Sequence, residues 1–131
     1  METFHKSERL CSRKAIDFLF EEGNTLITPF FKIVWTDAYL PLKFHTQAAF
    51  SVSKKSFRKA TERNLIRRRM REAYRKNKQV LYDRLASLNK KIAFMIIFRK
   101  NSIPDFQAVE KAMTQVIERL CAAVSENHSK S

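Results

Sequence analysis

The sequence predicts a single-domain α/β protein in which helices and strands follow the order α-β-β-α-β-α. Its 131 residues are 44% hydrophobic, which is enough apolar material for one compact domain with a buried core. Apolar segments of strand length stand on either side of a helical segment, as a parallel pair of strands requires. We expect the domain to span residues 1–124 and residues 125–131 to form a flexible tail.

The first part of the chain is predicted to form one helix and two strands. The helix covers residues 13–22, with Ser12 as its N-cap and apolar residues at helical spacing. Gly23 is the sole glycine of the chain and falls where a helix commonly ends on a left-handed C′ residue. Residues 30–36 and 48–53 have strand composition, and the second segment alternates between two faces. Its core-facing residues are Phe50 and Val52.

The second part of the chain is predicted to add helices and a buried strand. Residues 58–76 have a helical pattern whose periodicity continues through Leu88, beyond a break near Asn77. The apolar stripe of this helix is Ile66, Met70, Ala73 and Tyr74. Residues 91–99 form a nearly continuous apolar run, which predicts a strand buried on both faces. An amphipathic helix over residues 105–124 follows. Its candidate N-caps are Ser102 and Asp105.

The charge of the chain is concentrated in one segment. The protein carries 26 Lys and Arg residues against 13 Asp and Glu residues, for a formal net charge of +13. Residues 54–78 hold 12 of these basic residues, and Glu62 and Glu72 are the only acidic ones among them. A nearly neutral domain with one intensely basic segment is typical of a protein that binds a polyanion.

The composition disfavours several other classes of protein. Cys11 and Cys121 stand far apart without a close partner of metal-ligand type, so neither a zinc finger nor a disulfide framework is expected. No apolar run approaches the ~20 residues that cross a bilayer, and the first residues lack the apolar region of a signal peptide. No paired carboxylates and no Ser/His/Asp or Cys/His set indicate an active site. We therefore expect a cytoplasmic protein without catalytic or metal-ligating residues of its own.

Arginines at four-residue spacing are expected to form one row along the central helix. The row is Arg63, Arg67, Arg71 and Arg75, with Asn64, Arg68 and Lys78 beside it. Glu72 is expected on the opposite side, so little offsets the repulsion between these like charges. Arginine binds phosphate oxygens in bidentate geometry, so the row favours a phosphate partner over a merely solvated face. The rival interpretation, a membrane-surface helix, is disfavoured because the apolar stripe is needed for the core.

Two segments of the chain carry a specific resemblance to a known family. They read FSVSKK over residues 50–55 and KATERNLIRRRMREAYR over residues 59–75. A strand that ends in Ser-Lys-Lys and leads into an Arg-Asn-rich helix resembles the protein component of bacterial ribonuclease P. The resemblance extends upstream over residues 9–23 and, more weakly, downstream to residues 98–100 and the final helix.

The resemblance implies a fold, partners and a reaction. The fold is an α+β sandwich with a central mixed sheet and a left-handed βαβ crossover, an exception to the usual right-handed connection. The protein pairs with a catalytic RNA that removes the single-stranded 5′ leader of precursor tRNA. Magnesium ions (Mg²⁺) bound mainly by that RNA carry the hydrolysis. Neither a membrane nor duplex DNA is implied as a partner.

The resemblance also assigns roles to particular residues. The RNA-binding residues that it implies are Lys54, Lys55, Arg63, Asn64, Arg67, Arg68 and Arg71. Arg58 and Arg75, which belong to the same basic segment, are predicted to bind RNA with them. Phe20 and Ser53 are implied for the cleft that holds the leader. Further aromatic candidates for base stacking are Phe18, Phe31, Phe50 and Phe57. The chain departs from the family pattern at Leu65, where Arg is usual, and at Ile16, where the cleft often has an aromatic residue. These departures imply one RNA contact fewer and weaker stacking.

Two other functions would share the high pI and the basic helix. A ribosomal-type RNA-binding protein would co-purify with ribosomal subunits and not with the ribonuclease P RNA. A DNA-binding module would use residues 61–76 as a recognition helix, but the sequence shows neither a supporting helix-turn-helix nor a sign of dimer symmetry.

Overall fold

The computed structural model of the chain describes residues 13–37 and 46–129. Within these ranges the elements are α1 (Arg13–Glu22), β1 (Asn24–Ile27), β2 (Phe31–Asp37), β3 (Thr46–Val52), α2 (Ala60–Asn77), α3 (Gln79–Leu88), β4 (Ile92–Phe98) and α4 (Phe106–Ser129). The predicted α+β class is confirmed. Among the described residues, no helix is both long enough and apolar enough to cross a membrane.

The four strands form one mixed sheet in the order β1-β2-β4-β3. The strands β3 and β4 pair in parallel, as predicted from the helical segment that separates them in sequence. The pairs β1–β2 and β2–β4 are antiparallel, so the predicted central mixed sheet is confirmed. The hand of the crossover from β3 to β4 stays a prediction.

The two faces of the sheet are covered very differently. On one face, which we call the closed face, alternate strand residues pack against α2, α3 and α4 in the main core. Phe94 and Ile96 on this face are fully buried, and the aromatic ring of Tyr74 lies 5.6 Å from that of Phe94. On the opposite face, which we call the open face, α1 packs through Leu19 against Val34 in a much smaller cluster.

The structure adds two elements to the predicted order. The strand β1 was missed because its four residues lack a strand-like apolar pattern. Three of them are exposed, and Leu26 is partly buried. The helical stretch after residue 58 divides into α2 and α3, and α2 ends at Asn77, where the sequence predicted a break. The second helix of this pair ends on Asn89, whose φ of 54° is left-handed.

The C-terminal boundary differs from the prediction. The helix α4 continues to Ser129, so most of the segment predicted as a flexible tail from residue 125 is helical. Ser125 is half-buried, and its hydroxyl accepts a hydrogen bond of 3.1 Å from Arg84 on α3. This contact favours helix where the apolar pattern has run out. At the other end of α4, Asp105 accepts a hydrogen bond of 2.8 Å from the backbone of Ala108, which identifies Asp105 as its N-cap.

Gly23 is required for space and not for a left-handed backbone. The prediction of a left-handed C′ residue was wrong, because no glycine among the described residues has a positive φ. A Cβ at this position would lie 2.3 Å from the carbonyl oxygen of Leu19 and 2.9 Å from Cγ1 of Val34. The absent side chain therefore lets the end of α1 lie directly on β2. The predicted N-cap of α1, Ser12, lies outside the described residues.

Candidate nucleic-acid interface

The helix α2 is oriented by the apolar stripe that the sequence predicted. Its members Ile66, Met70, Ala73 and Tyr74 are all fully buried. Burial of a side chain as large as Ile66 or Met70 contributes about 1.5–3 kcal/mol, so this stripe fixes the rotation of the helix about its axis. The residues on the opposite side of α2 consequently face solvent.

The arginines at four-residue spacing do not share one side of α2. Four residues advance the direction of a side chain by about 40° around an α-helix, so a row of this spacing winds around it. Arg63, at one end, lies close to the buried stripe and is half-buried. Its Nη1 donates hydrogen bonds of 2.7 Å to the carbonyl of Phe57 and 2.9 Å to that of Arg58. Arg63 therefore holds the loop before α2 in place, whatever else it contacts.

The other end of the row is partly neutralised. Arg75 forms a salt bridge with Glu72 at 2.6 Å, and its Nε donates a second hydrogen bond of 3.1 Å to the same carboxylate. The hydrogen bond from Arg75 lowers the pKa of Glu72 below its usual value. The expectation that Glu72 faces away from the row was wrong, because the winding brings Arg75 within one helical turn of it.

The cations that face solvent lie in the middle of the row and in the preceding loop. On α2, Asn64, Arg68 and Arg71 are exposed, and Arg67 donates a hydrogen bond to the side-chain oxygen of Asn64. The exposed cations of the preceding loop are Lys54, Lys55, Arg58 and Lys59. Together these residues form what we call the cationic face, and the structure brings most of the predicted RNA-binding residues together on it.

Ser53 shapes the start of this loop. It is exposed, and its hydroxyl accepts a hydrogen bond of 3.1 Å from the backbone of Lys55. The buried ring of Phe57 anchors the other end of the loop at 6.0 Å from the ring of Phe98. The loop thus has a defined shape, in which Lys54 and Lys55 follow directly after β3. The role of Ser53 in a leader cleft stays a prediction.

The outer surface of α2 also has features that the sequence did not reveal. Two shallow hollows share Arg68: one is also lined by Arg69, Glu72 and Phe106, and the other by Thr61, Asn64 and Leu65. The ammonium of Lys76 lies 5.2 Å from the ring centroid of Phe106 on α4. Arg69 donates to the carbonyl of Pro104, so its guanidinium serves helix packing. Contacts between distant segments such as these leave no periodic signal in the sequence.

Lys78 belongs to the basic segment by sequence but not to its surface. It is 6% exposed at the junction of α2 and α3, and its ammonium lies 5.2 Å from the ring centroid of Tyr82. A lysine this buried cannot bind a phosphate that approaches from solvent. The number of basic residues in this segment of the sequence is therefore larger than the number on the cationic face.

The aromatic residues predicted for a leader cleft differ in their accessibility. Phe20 on α1 is 52% exposed and Phe18 is 42% exposed, so both rings are accessible to a ligand. The other aromatic candidates, Phe31, Phe50 and Phe57, are buried in the closed-face core and cannot stack on a base. Ile16 is half-buried and packs against the cluster that contains Leu19. The assignment of Phe20 to a leader cleft stays a prediction.

The described residues offer little for metal-dependent chemistry by side chains. Within residues 13–37 and 46–129, no three His, Cys, Asp or Glu side chains lie close enough together to hold a metal ion. Cys121 is buried in α4, and burial raises the pKa of its thiol. A buried thiol with a raised pKa is a weak nucleophile.

Comparison with known proteins gives one consistent result. A family model described as Ribonuclease P matches residues 4–121. The ribonuclease P protein component of Porphyromonas gingivalis is 35% identical over 128 residues, which are 96% of this chain and 92% of that protein. The ribonuclease P protein component of Thermotoga maritima is 30% identical over 109 residues, or 83% of this chain and 84% of that protein.

Solved structures show the same fold. The ribonuclease P protein from Thermotoga maritima superposes with a TM-score of 0.69 at 26% identity, over 86% of this chain and 96% of that one. The Staphylococcus aureus ribonuclease P protein, at 19% identity, also gives a TM-score of 0.69, over 88% of this chain and 96% of that one. The latter likeness concerns the fold alone.

Proposed function

This chain belongs to the bacterial ribonuclease P protein family, and from that membership we propose that it is the protein subunit of ribonuclease P in the cytoplasm. In this role it binds the catalytic RNA and the single-stranded 5′ leader of precursor tRNA. It thereby promotes endonucleolytic removal of the leader, which leaves the mature 5′ end of the tRNA.

The observation that carries this proposal is the cationic face. Lys54, Lys55 and Arg58 before α2, and Arg68 and Arg71 on it, are all exposed, and Arg68 and Arg71 are neighbours at three-residue spacing on the helix. Cations gathered in this way repel each other unless anions neutralise them. An RNA phosphate backbone supplies anions at regular spacing, and each neutralised phosphate releases bound counterions.

The chemistry is assigned to the RNA and not to the protein. Phosphodiester hydrolysis can proceed at Mg²⁺ ions held by RNA phosphates, where the metal activates water and stabilises the leaving oxygen. The protein then contributes binding energy from a part of the substrate remote from the scissile bond. It also neutralises phosphates that would repel one another when substrate and RNA approach.

We assign leader binding to the open face, where Phe20 is accessible. Stacking of a base on an aromatic ring contributes ~1–3 kcal/mol and depends little on which base it is. That tolerance suits an enzyme that must accept many leader sequences. Because Ile16 replaces an aromatic residue, stacking alone supplies less here than in a cleft with two rings.

Reconstitution tests the proposal directly. We expect the purified protein to restore cleavage of precursor tRNA by a bacterial ribonuclease P RNA at low magnesium, where the RNA alone is slow. The protein alone should cut nothing. Cleavage no faster than with RNA alone, or cleavage by the protein unaided, would refute the proposal, and co-purification with ribosomal subunits in place of the ribonuclease P RNA would favour a ribosomal role.

Salt dependence tests the cationic face. If Arg68 and Arg71 each neutralise one phosphate, Arg68→Ala and Arg71→Ala should each reduce the log–log salt slope of binding to the catalytic RNA by roughly 0.7–0.9. The matched control is Lys111→Ala, which removes one exposed charge on α4 that does not belong to the cationic face. If the salt slopes of both arginine variants equal that of Lys111→Ala, the cationic face does not contact the RNA.

A further inference from the structure

The strand β1 is one edge of the sheet, and no other described strand pairs with its outer side. A strand at an edge presents backbone N–H and C=O groups that can pair with a strand of another molecule. The residues of β1, Asn24–Ile27, are uncharged, and three of the four are exposed. Apart from being short, the strand therefore carries none of the charged or proline residues that commonly protect an edge.

The backbone groups of Thr25 and Ile27 point away from the sheet. In an antiparallel pair, residues that exchange hydrogen bonds with the partner strand alternate with residues that do not. The N–H of Thr28 donates to the carbonyl of Phe31 at 2.8 Å, so these two residues are a bonded pair. Counting back along the register of β1 and β2 places Leu26 in the next bonded pair. Thr25 and Ile27 consequently direct their N–H and C=O groups outward, and we call these groups the free edge.

One carbonyl of the free edge is already occupied by a side chain from α4. Nη1 of Arg119 donates a hydrogen bond of 2.8 Å to the carbonyl of Ile27. The following carbonyl, that of Thr28, accepts a hydrogen bond from Arg99, the residue directly after β4. Two guanidinium groups from remote parts of the chain thus cover this end of β1. The guanidinium of Arg119 lies where the N–H of an added strand would have to donate.

Arg119 opposes the addition of a strand in two ways. A partner strand could bond to the carbonyl of Ile27 only after the guanidinium had left it. If the guanidinium stayed, the partner strand would bury a charge, which is costly unless the charge is paired. In the single chain Arg119 is exposed, so its charge remains solvated while it donates to the edge.

The net charge of the protein is a weaker protection, because it depends on the surroundings. Each copy of the chain carries a formal charge of +13, and repulsion between like charges keeps proteins apart. This repulsion is screened beyond about 10 Å at about 0.1 M salt and beyond about 3 Å at about 1 M salt. A bound polyanion neutralises it as well. A hydrogen bond to the edge itself still acts under both conditions.

From this geometry we propose that Arg119 closes the free edge of β1 against a second copy of this chain. Without Arg119, the free edges of two copies would pair in antiparallel orientation, as β1 already pairs with β2 on its other side. The inference goes beyond the proposed function and does not depend on it, because it concerns the protein without RNA.

Self-association of the full chain tests this inference. Sedimentation velocity at about 0.1 M and about 1 M salt compares wild type with Arg119→Ala, Arg119→Lys and the matched control Lys111→Ala. At the higher salt concentration we expect Arg119→Ala to dimerise about tenfold more tightly than wild type, because one further backbone hydrogen bond becomes available. At the lower concentration the difference should be smaller, because repulsion acts on all variants. Arg119→Lys, which keeps a charged donor, and Lys111→Ala should match wild type.

Two further measurements identify the surface that associates. In a dimer of Arg119→Ala, the outward amides of Thr25 and Ile27 should exchange hydrogen with solvent more slowly than in the monomer. Thr25→Pro removes an outward N–H without removing a hydrogen bond to β2, as proline on an edge strand can. The double variant Arg119→Ala/Thr25→Pro should therefore be monomeric again. The exchange measurement decides the question by itself if Thr25→Pro weakens the hairpin.

Each of the other outcomes contradicts the inference. If Arg119→Ala associates no more than Lys111→Ala at either salt concentration, Arg119 does not protect the edge. Dimerisation without slower exchange at Thr25 and Ile27 would show that another surface is responsible. Dimerisation that persists in a folded double variant would show the same. Urea unfolding verifies that Arg119, an exposed residue, can be replaced without loss of the fold. Failure of the proposed function in reconstitution would leave all of these results unchanged.

Discussion

The two faces of the sheet use the same strands for different purposes. The closed face meets three helices and buries nearly every residue it presents, whereas the open face meets α1 alone among the described elements and leaves Lys32 exposed. Because successive side chains of a strand alternate between faces, each strand can supply core residues to the closed face and accessible residues to the open face. The closed face therefore determines the stability of the fold. Residues on the open face and on the cationic face of α2 can change, and ligand binding with them, at little cost to folding.

The strongest test of this contrast replaces neighbouring residues of β4. Phe94→Ala, on the closed face, should lower the free energy of unfolding by about 3–5 kcal/mol, because it removes a fully buried ring and leaves a cavity. Met95→Ala, on the open face, should cost about 1–2 kcal/mol, because the methionine is only half-buried. Urea denaturation measures both values. Equal losses would show that the open face is as tightly packed as the closed one.

A smaller effect is expected where α1 meets the open face. Gly23→Ala should destabilise the protein by about 1–3 kcal/mol, because the new methyl group would overlap the carbonyl of Leu19 and the side chain of Val34. Hydrogen exchange should show lower protection in α1 while the amides of β4 remain protected. A variant as stable as wild type would mean that α1 can shift freely on the sheet.

Within α2, a similar contrast exists between Arg63, which has structural hydrogen bonds, and Arg68, which is exposed. Arg63→Ala should destabilise the protein by about 1–2 kcal/mol, because the carbonyls of Phe57 and Arg58 lose a charged donor. Arg68→Ala should leave the unfolding free energy within about 0.5 kcal/mol, because the side chain is exposed. Thermal or urea unfolding compares the two variants. A stable Arg63→Ala protein would show that the loop before α2 keeps its shape unaided.

The smallest effect concerns the pair of Glu72 and Arg75. Glu72→Gln should cost no more than about 0.5 kcal/mol of stability, as expected for a surface pair within a helix. Removing this carboxylate takes away a negative charge beside Arg75, so binding to the catalytic RNA should tighten, about twofold by the same estimate. The pKa of Glu72 is lowered in the folded protein, so the pair stabilises it above the ordinary carboxyl pKa. That contribution should disappear as the pH falls through the lowered value, and Glu72→Gln should lack this part of the pH dependence. Weaker RNA binding by the variant would instead indicate that Glu72 itself contacts the RNA.

Much of the fold was predictable because its signals are local. The stripe of Ile66, Met70, Ala73 and Tyr74 and the strand over residues 91–99 follow from spacing alone. The strand β1 was missed because four mostly exposed residues carry no such pattern. The C-terminal end of α4 was missed because a contact of Ser125 with α3, and not amphipathic spacing, supports the helix beyond Val124.

The sequence by itself determined that this protein has an intensely basic helix with one apolar side, and that its central motif is specific to one family. Composition and spacing suffice for this, because charge and helical periodicity are properties of neighbouring residues. Only the tertiary structure decided which cations face solvent. Burial of the stripe set the rotation of α2, which turned Arg63 toward the loop and brought Arg75 to Glu72. Strand register likewise decided which remote residues meet on the sheet, such as Lys32 of β2 and Ile97 of β4.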